Sequence, residues 1–195
     1  ILIHLDHMYP KPKNICWTAM FSRTGYELYC IIKVLKIIPT QIICNRKPQK
    51  DGIDKRFWDF LQDQNYEITF VTKSPNTVEY DMFLQPPDNH IITLHGWMRI
   101  IPPDICKKFN IYNGHPGDIL TYPVLKGKDP QQKALDLGHD TIGTVIHKVI
   151  PEVDDGPVLA STKIKNTFKD VNSISIALRE ESIFLWADFL KQRIS

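Results

Sequence analysis

Short apolar runs of strand length alternate with segments of helical period along most of this chain, and that alternation leaves few folds open. "NICWTAMF" is apolar and β-leaning, and turn-like "SRTG" follows it. "YELYCIIKVLKI" then keeps Leu28, Ile31, Ile32 and Leu35 at helical spacing. "PTQIICN" reads as a second buried strand and "RKPQKDG" as a loop. "IDKRFWDFLQDQN" is a second helix, with Phe57, Phe60 and Leu61 on one face. "YEITFVT" and "NHIITLHG" supply a third and a fourth strand. Strands alternating with helices in this way imply βαβ units. The expected fold is α/β, with three layers: a mostly parallel twisted sheet and helices on both faces.

The second half continues the pattern. After "GWMRIIPPDICKKF" a fifth strand ends near Asn113. "DPQQKALDLG" is a short helix closed by Gly138. "TIGTVIHKVI" and "GPVLASTKIK" read as one strand each, and "VNSISIALREESIFLWADFLKQRI" as a long closing helix. No repeat or linker divides the 195 residues, so one domain is expected over 14–195, after a leader segment 1–13 set off by "PKPK". At 43% hydrophobic and 24% charged the composition supports one good-sized core. A net charge of +2, from 24 basic and 22 acidic residues, leaves no electrostatic footprint for tight nucleic-acid or membrane binding. No apolar stretch reaches the length of a membrane span, and the first residues lack the order of a signal peptide. Cys16, Cys30, Cys44 and Cys106 form no CxxC pair. They read as reduced, mostly buried thiols of a cytoplasmic protein.

In open α/β sheets ligands bind beyond the carboxyl ends of the strands. "NIYNGHP" puts Asn113 and His115 at such an end, and "VDDGP" puts Asp154 and Asp155 between the two late strands. An Asn side chain donates hydrogen bonds without ionising, which suits a developing oxyanion. A His beside a carboxylate is held in one orientation with its protonated form favoured. It can stabilise the same oxyanion or pass a proton. Gly114 would leave room for the ligand. No Ser or Cys nucleophile is needed if the substrate brings its own amine, so the fitting chemistry is direct acyl transfer to an amine. On residue chemistry alone, an ordinary Asn-Gly turn and a solvated "DDG" turn stay open as readings.

"NGHP" followed by "GTVIHKVIPEVDDGPVL", and preceded by "HGWMRII", resembles the folate-dependent formyltransferase family. That family includes enzymes acting on glycinamide ribonucleotide, methionyl-tRNA and aminosugar nucleotides. The resemblance runs over most of the chain and implies a Rossmann-like formyltransferase fold. It implies Asn113, His115 and Asp154 as the catalytic set, with Asp155 as neighbour. It also implies 10-formyltetrahydrofolate as formyl donor, its pterin lying against Met98, Arg99, Ile100 and Ile101 and the loop backbone through Val153. No metal is expected. His147 matches a family position, where its place on an alternating strand suggests a structural role.

For the acceptor, the resemblance implies the primary amine of a small phosphorylated substrate, glycinamide ribonucleotide first. An aminosugar nucleotide or another amino-modified nucleotide is the alternative, with Trp97, Tyr122 or Trp186 as a platform for its base. A folate-binding relative without turnover is the non-enzyme alternative. Ser22, Arg23, Thr24, Gly25 and Glu27 stand where the family holds the acceptor's phosphate. Only Gly25 remains there of several small residues, and a carboxylate at Glu27 would repel a phosphate. "HPGDIL" also departs from the family's usual "HPSLLP". Even charge and a single closing helix argue against tRNA. The expected partners are thus a small amine and the folate, without a membrane, and a homodimer stays open.

Overall fold

Strands whose side chains are buried on both faces must be covered by helices on both faces, and β1 (Cys16–Phe21) sets that requirement here. In the computed structural model, which describes residues 8–46, 52–85 and 87–194, Trp17, Ala19 and Phe21 of β1 face one core while Met20 faces another. The elements that follow are α1 (Tyr26–Leu35), β2 (Gln41–Cys44), α2 (Lys55–Asp63) and β3 (Thr69–Phe70). Then come α3 (Thr77–Phe83), β4 (His90–Leu94), α4 (Pro103–Lys108) and β5 (Ile111–His115). A 3-10 turn (Pro123–Leu125) leads to α5 (Pro130–Asp136), β6 (Thr141–Ile142) and β7 (Val145–Lys148). The chain closes with β8 (Val158–Ser161), β9 (Ile164–Lys165) and α6 (Val171–Ile194).

Seven strands form one sheet in the order β3-β2-β1-β4-β5-β7-β8. The first five are parallel, and β7 and β8 are antiparallel. Residues of α1, α2 and α6 join the core on one face, including Leu28, Phe57 and Trp186. Tyr80, Ile105 and Cys106 of α3 and α4 join the core on the other. The winding reverses between β1 and β4, so the crevice of an open sheet lies beyond those two strands. The residues expected at the site come from the end of β5, the start of α1 and the loops after β1, β4 and β7.

Several elements differ from the sequence reading. "TIGTVIHKVI" and "GPVLASTKIK" are each two strands, β6 and β7, β8 and β9, because both segments bend at one place. There Thr162 N–H donates to the Thr144 carbonyl (2.8 Å) and Thr144 N–H to Thr162 Oγ1 (3.2 Å). The outer pieces, β6 and β9, pair separately. The third strand shrinks to Thr69–Phe70 at the sheet edge. Helix α3 buries only Tyr80 and leaves Val78 and Met82 exposed, so it carries no apolar stripe to read. Its start is nonetheless encoded: Asn76 and Glu79 form a reciprocal capping box.

Of the leader, residues 1–7 lie outside the described residues, as do 47–51 of the "RKPQKDG" loop. Tyr9 packs its ring on Phe60 and donates its backbone N–H to Gln64 Oε1 at 2.7 Å. The four cysteines are thiols; Cys44 and Cys106 are buried, Cys16 and Cys30 half-buried.

A buried polar chain crosses the sheet between β1 and β4. The Trp17 indole N–H donates to Thr93 Oγ1 at 2.8 Å, and His95 Nε2 meets the same hydroxyl at 2.8 Å. Thr93→Val keeps the shape and removes both bonds. Leaving a buried donor unmet costs about 1–3 kcal/mol, so urea unfolding is expected to show a loss of that order; an unchanged midpoint would contradict this role for Thr93.

Candidate active site

A carboxylate taken out of water needs charge and hydrogen bonds around it, and the Asp154 side chain, 10% exposed, finds them from three directions. Its Oδ2 lies 3.4 Å from His115 Nδ1, and its Oδ1 lies 3.3 Å from His147 Nε2. The Gly127 backbone N–H donates to Oδ2 at 2.9 Å. Asp154 has φ 54°, the left-handed region that a short polar side chain tolerates. Gly156 fastens this loop: a Cβ there would stand 1.8 Å from the Lys148 carbonyl oxygen, so only glycine lets the loop lie on the end of β7. Asp155 points outward, exposed, and pairs with Lys126 at 2.5 Å.

Strand pairing brings up the other members. Asn113 and His115 project from one side of β5, and the antiparallel register sets Asn113 opposite His147. Asn113 Nδ2 lies 3.4 Å from His147 Nε2. His115 is buried, and its Nε2 donates to the Leu125 carbonyl at 2.8 Å. The Thr144 hydroxyl donates to the His115 carbonyl at 2.9 Å. The ion-pair distances to Asp154 exceed those of formed hydrogen bonds, as is usual where a substrate tightens a site.

Sequence reasoning underweighted His147. Its ring touches both Asp154 and Asn113, and the signal for that was the register of two adjacent strands, which spacing alone does not give.

The charge states follow from burial and partners. Burial works to raise the Asp154 carboxyl, but the His147 and His115 rings beside it and the Gly127 N–H outweigh it and hold it below the ordinary 3.8. Proximity to a carboxylate led to the expectation of a charged His115. Burial reverses the balance: it pushes the ring below its ordinary 6.5 against the pull of Asp154 and the Leu125 carbonyl, with His147 and Lys133 adding to the downward push. At neutral pH this favours an ionised Asp154 beside a neutral His115.

These residues line a cleft of about 1120 Å³. Clefts for one small ligand run to roughly 300–1,000 Å³, so this one is at the large end of that range. The family model described as "Formyl transferase" matches residues 73–179, a span that takes in Asn113, His115, His147 and Asp154. The chain belongs to the formyl transferase family. It is thus a folate-dependent formyl-transferring enzyme. A phosphoribosylglycinamide formyltransferase of Haemophilus influenzae is 27% identical over 185 residues, 89% of this chain and 84% of that protein. A methionyl-tRNA formyltransferase of Thermotoga maritima is 25% identical over 135 residues, 66% of this chain and 42% of that protein. The fold matches the crystal structure of phosphoribosylglycinamide formyltransferase from Anaplasma phagocytophilum with a TM-score of 0.77, at 21% identity, over 92% of this chain and 86% of that one.

Met98, Arg99, Ile100, Ile101 and Val153, the residues expected at a formyl transferase's donor, all line the cleft. Met98, Ile100 and Val153 keep 48%, 75% and 56% of their surface exposed there, an apolar lining that fits a flat heteroaromatic ligand. The Arg99 guanidinium is turned to the Lys73 and Met98 carbonyls.

Of the loop 22–27, Arg23 alone lines the cleft. Ser22 is buried and accepts the Met98 N–H at 2.9 Å, which joins the β1 and β4 loops. Thr24 is exposed beside the loop, Gly25 is packed on the rings of Phe57 and Phe21, and Glu27 lies 3.4 Å from His95 Nδ1. Of the aromatic platforms, Trp97 lines the cleft although nearly all of its surface is buried, Trp186 is a core residue, and Tyr122 stacks on His139 at 3.7 Å.

Groups held below their ordinary values stabilise the fold above those values and lose that contribution as pH falls. Stability to urea is expected to drop as pH falls below 6.5, where unfolded His115 takes up a proton that the folded ring resists, and again below 3.8 for Asp154. His115→Gln should flatten the upper limb and spare the lower. Stability that rises towards acid would contradict both assignments.

Proposed function

We propose that the chain transfers the formyl group of 10-formyltetrahydrofolate to the primary amine of glycinamide ribonucleotide. The observation that supports this most is the convergence of Asn113, His115 and Asp154 in one large cleft. The folate supplies an activated formyl carbon. The Asn113 amide donates to the formyl oxygen as negative charge develops there. That charge raises the pKa of the nearby His115, so the ring becomes the acceptor for the proton shed by the attacking amine. Asp154 steadies the imidazolium that results, and His115 then returns the proton to the departing nitrogen. His147 stands beside both Asp154 and Asn113 and keeps Asp154 in place. As drawn, the route uses no metal.

We assign the reaction to a single domain over 14–195 in a cytoplasmic setting, for which four thiols are suited. Arg23 is the cation offered to the acceptor's phosphate; Ser22, Thr24, Gly25 and Glu27 shape its loop.

His115→Ala and Asp154→Asn are each expected to lower kcat by about 100-fold or more, measured as formyl transfer from the folate to glycinamide ribonucleotide. Asp155→Asn should leave kcat nearly unchanged, and Arg23→Ala should raise KM for the amine more than it lowers kcat. Near-normal turnover by His115→Ala would overturn the catalytic assignment. Turnover with an aminosugar nucleotide but none with glycinamide ribonucleotide would move the acceptor and leave the reaction standing.

A further inference from the structure

The segment that carries Asn113 and His115 has a glycine between them, and its reason lies on the opposite face of the sheet. Gly114 is not among the residues with positive φ, so the backbone itself would accept a side chain. Space would not. A Cβ at Gly114 would stand 2.7 Å from Trp186 Nε1, 3.3 Å from Cε2 and 3.4 Å from Cζ2. The expectation that Gly114 makes room for a ligand is therefore corrected: it makes room for an indole.

Trp186, on α6, cannot easily give way. It has no exposed surface, and its ring lies 4.8 Å from that of His95 and 5.7 Å from that of Phe189. A buried indole N–H usually finds a partner, yet this one finds no acceptor among the described residues. The ring is held by packing and fills the space behind β5. Side chains alternate across a strand, so the residue between Asn113 and His115 faces α6 while those two face the cleft.

We propose that Trp186 and Gly114 are a matched pair of positioning residues: the indole edge is the stop against which β5 rests, and it sets how far Asn113 and His115 reach into the cleft. The inference rests on the catalytic roles assigned to those two residues. Misplacing reacting groups by 1 Å can cost about 100-fold in rate, and a Cβ at 2.7 Å from a fixed ring demands a shift approaching that size. On this account Trp186, which does not line the cleft, takes part in catalysis without touching substrate.

The test uses Gly114→Ala, Trp186→Phe and the double variant, each checked for folding by circular dichroism and thermal unfolding. Formyl transfer at saturating substrate is measured well below the unfolding temperature, and the His115 ring is followed by its 15N resonances. Gly114→Ala is expected to lose about 100-fold in kcat with little change in KM, and to shift the His115 resonances. Replacing the indole by a phenyl ring opens the space, so the double variant should regain at least about 10-fold in kcat and return the His115 resonances towards wild type. A folded Gly114→Ala with wild-type kcat and unmoved resonances would overturn the pairing, as would a double variant no faster than Gly114→Ala. Should Gly114→Ala fail to fold alone, the double variant is compared with Trp186→Phe. In that background Gly114→Ala must leave kcat nearly unchanged, and a large loss would overturn the proposal. Absence of formyl transfer in the wild type would instead count against the proposed reaction.

Discussion

The Asp154 carboxylate, sunk between two imidazoles, is the interaction on which the arrangement of the site depends. A buried charge without partners would cost several kcal/mol, so its partners must arrive together or the loop would not hold. They come from three separate places in the chain: His115 at the end of β5, His147 on β7, and the Gly127 N–H beyond the 3-10 turn. The antiparallel pairing of β5 with β7 brings the first two into reach. The close approach of Gly156 to the Lys148 carbonyl holds Asp154 against them. The same burial favours the neutral form of His115, the state that its proposed role as acceptor of a proton needs.

Much of this was legible in the sequence because the relevant signals are local. The apolar runs of β1, β2 and β4 are continuous since both faces are covered, and helical spacing marks α1 and α2. The alternation of the two gives a mostly parallel sheet. The rule that open sheets bind beyond their strand ends pointed to Asn113 and His115, and the resemblance to the formyltransferases singled out Asp154 over Asp155. The breaks near Thr144 and Thr162 were not legible, because they face each other across two segments that are paired only in the fold. The place of His147 was missed for a similar reason: its role is a property of register between strands.

The loop after β1 shows where residue type misleads. Ser22, Arg23 and Thr24 there had the chemistry of an anion site, yet backbone N–H groups claim two of them. Ser22 serves the backbone of Met98, and Glu27 turns to the buried His95, itself joined through Thr93 to Trp17. Arg23 alone is left facing the cleft. The glycine at 114 misleads in the opposite direction, since a residue that suggests ligand space is complementary to Trp186 behind it. Both cases turn on side chains far apart in the chain.

The protonation state of His115 in the empty site tests this account most directly. Titration of its ring nitrogens by 15N NMR is expected to give a midpoint below 6.5 in the wild type, because burial outweighs Asp154. In Asp154→Asn, with the carboxylate's charge removed, the midpoint should fall further. A midpoint above 6.5, or one that Asp154→Asn leaves in place, would contradict a site organised around that buried carboxylate.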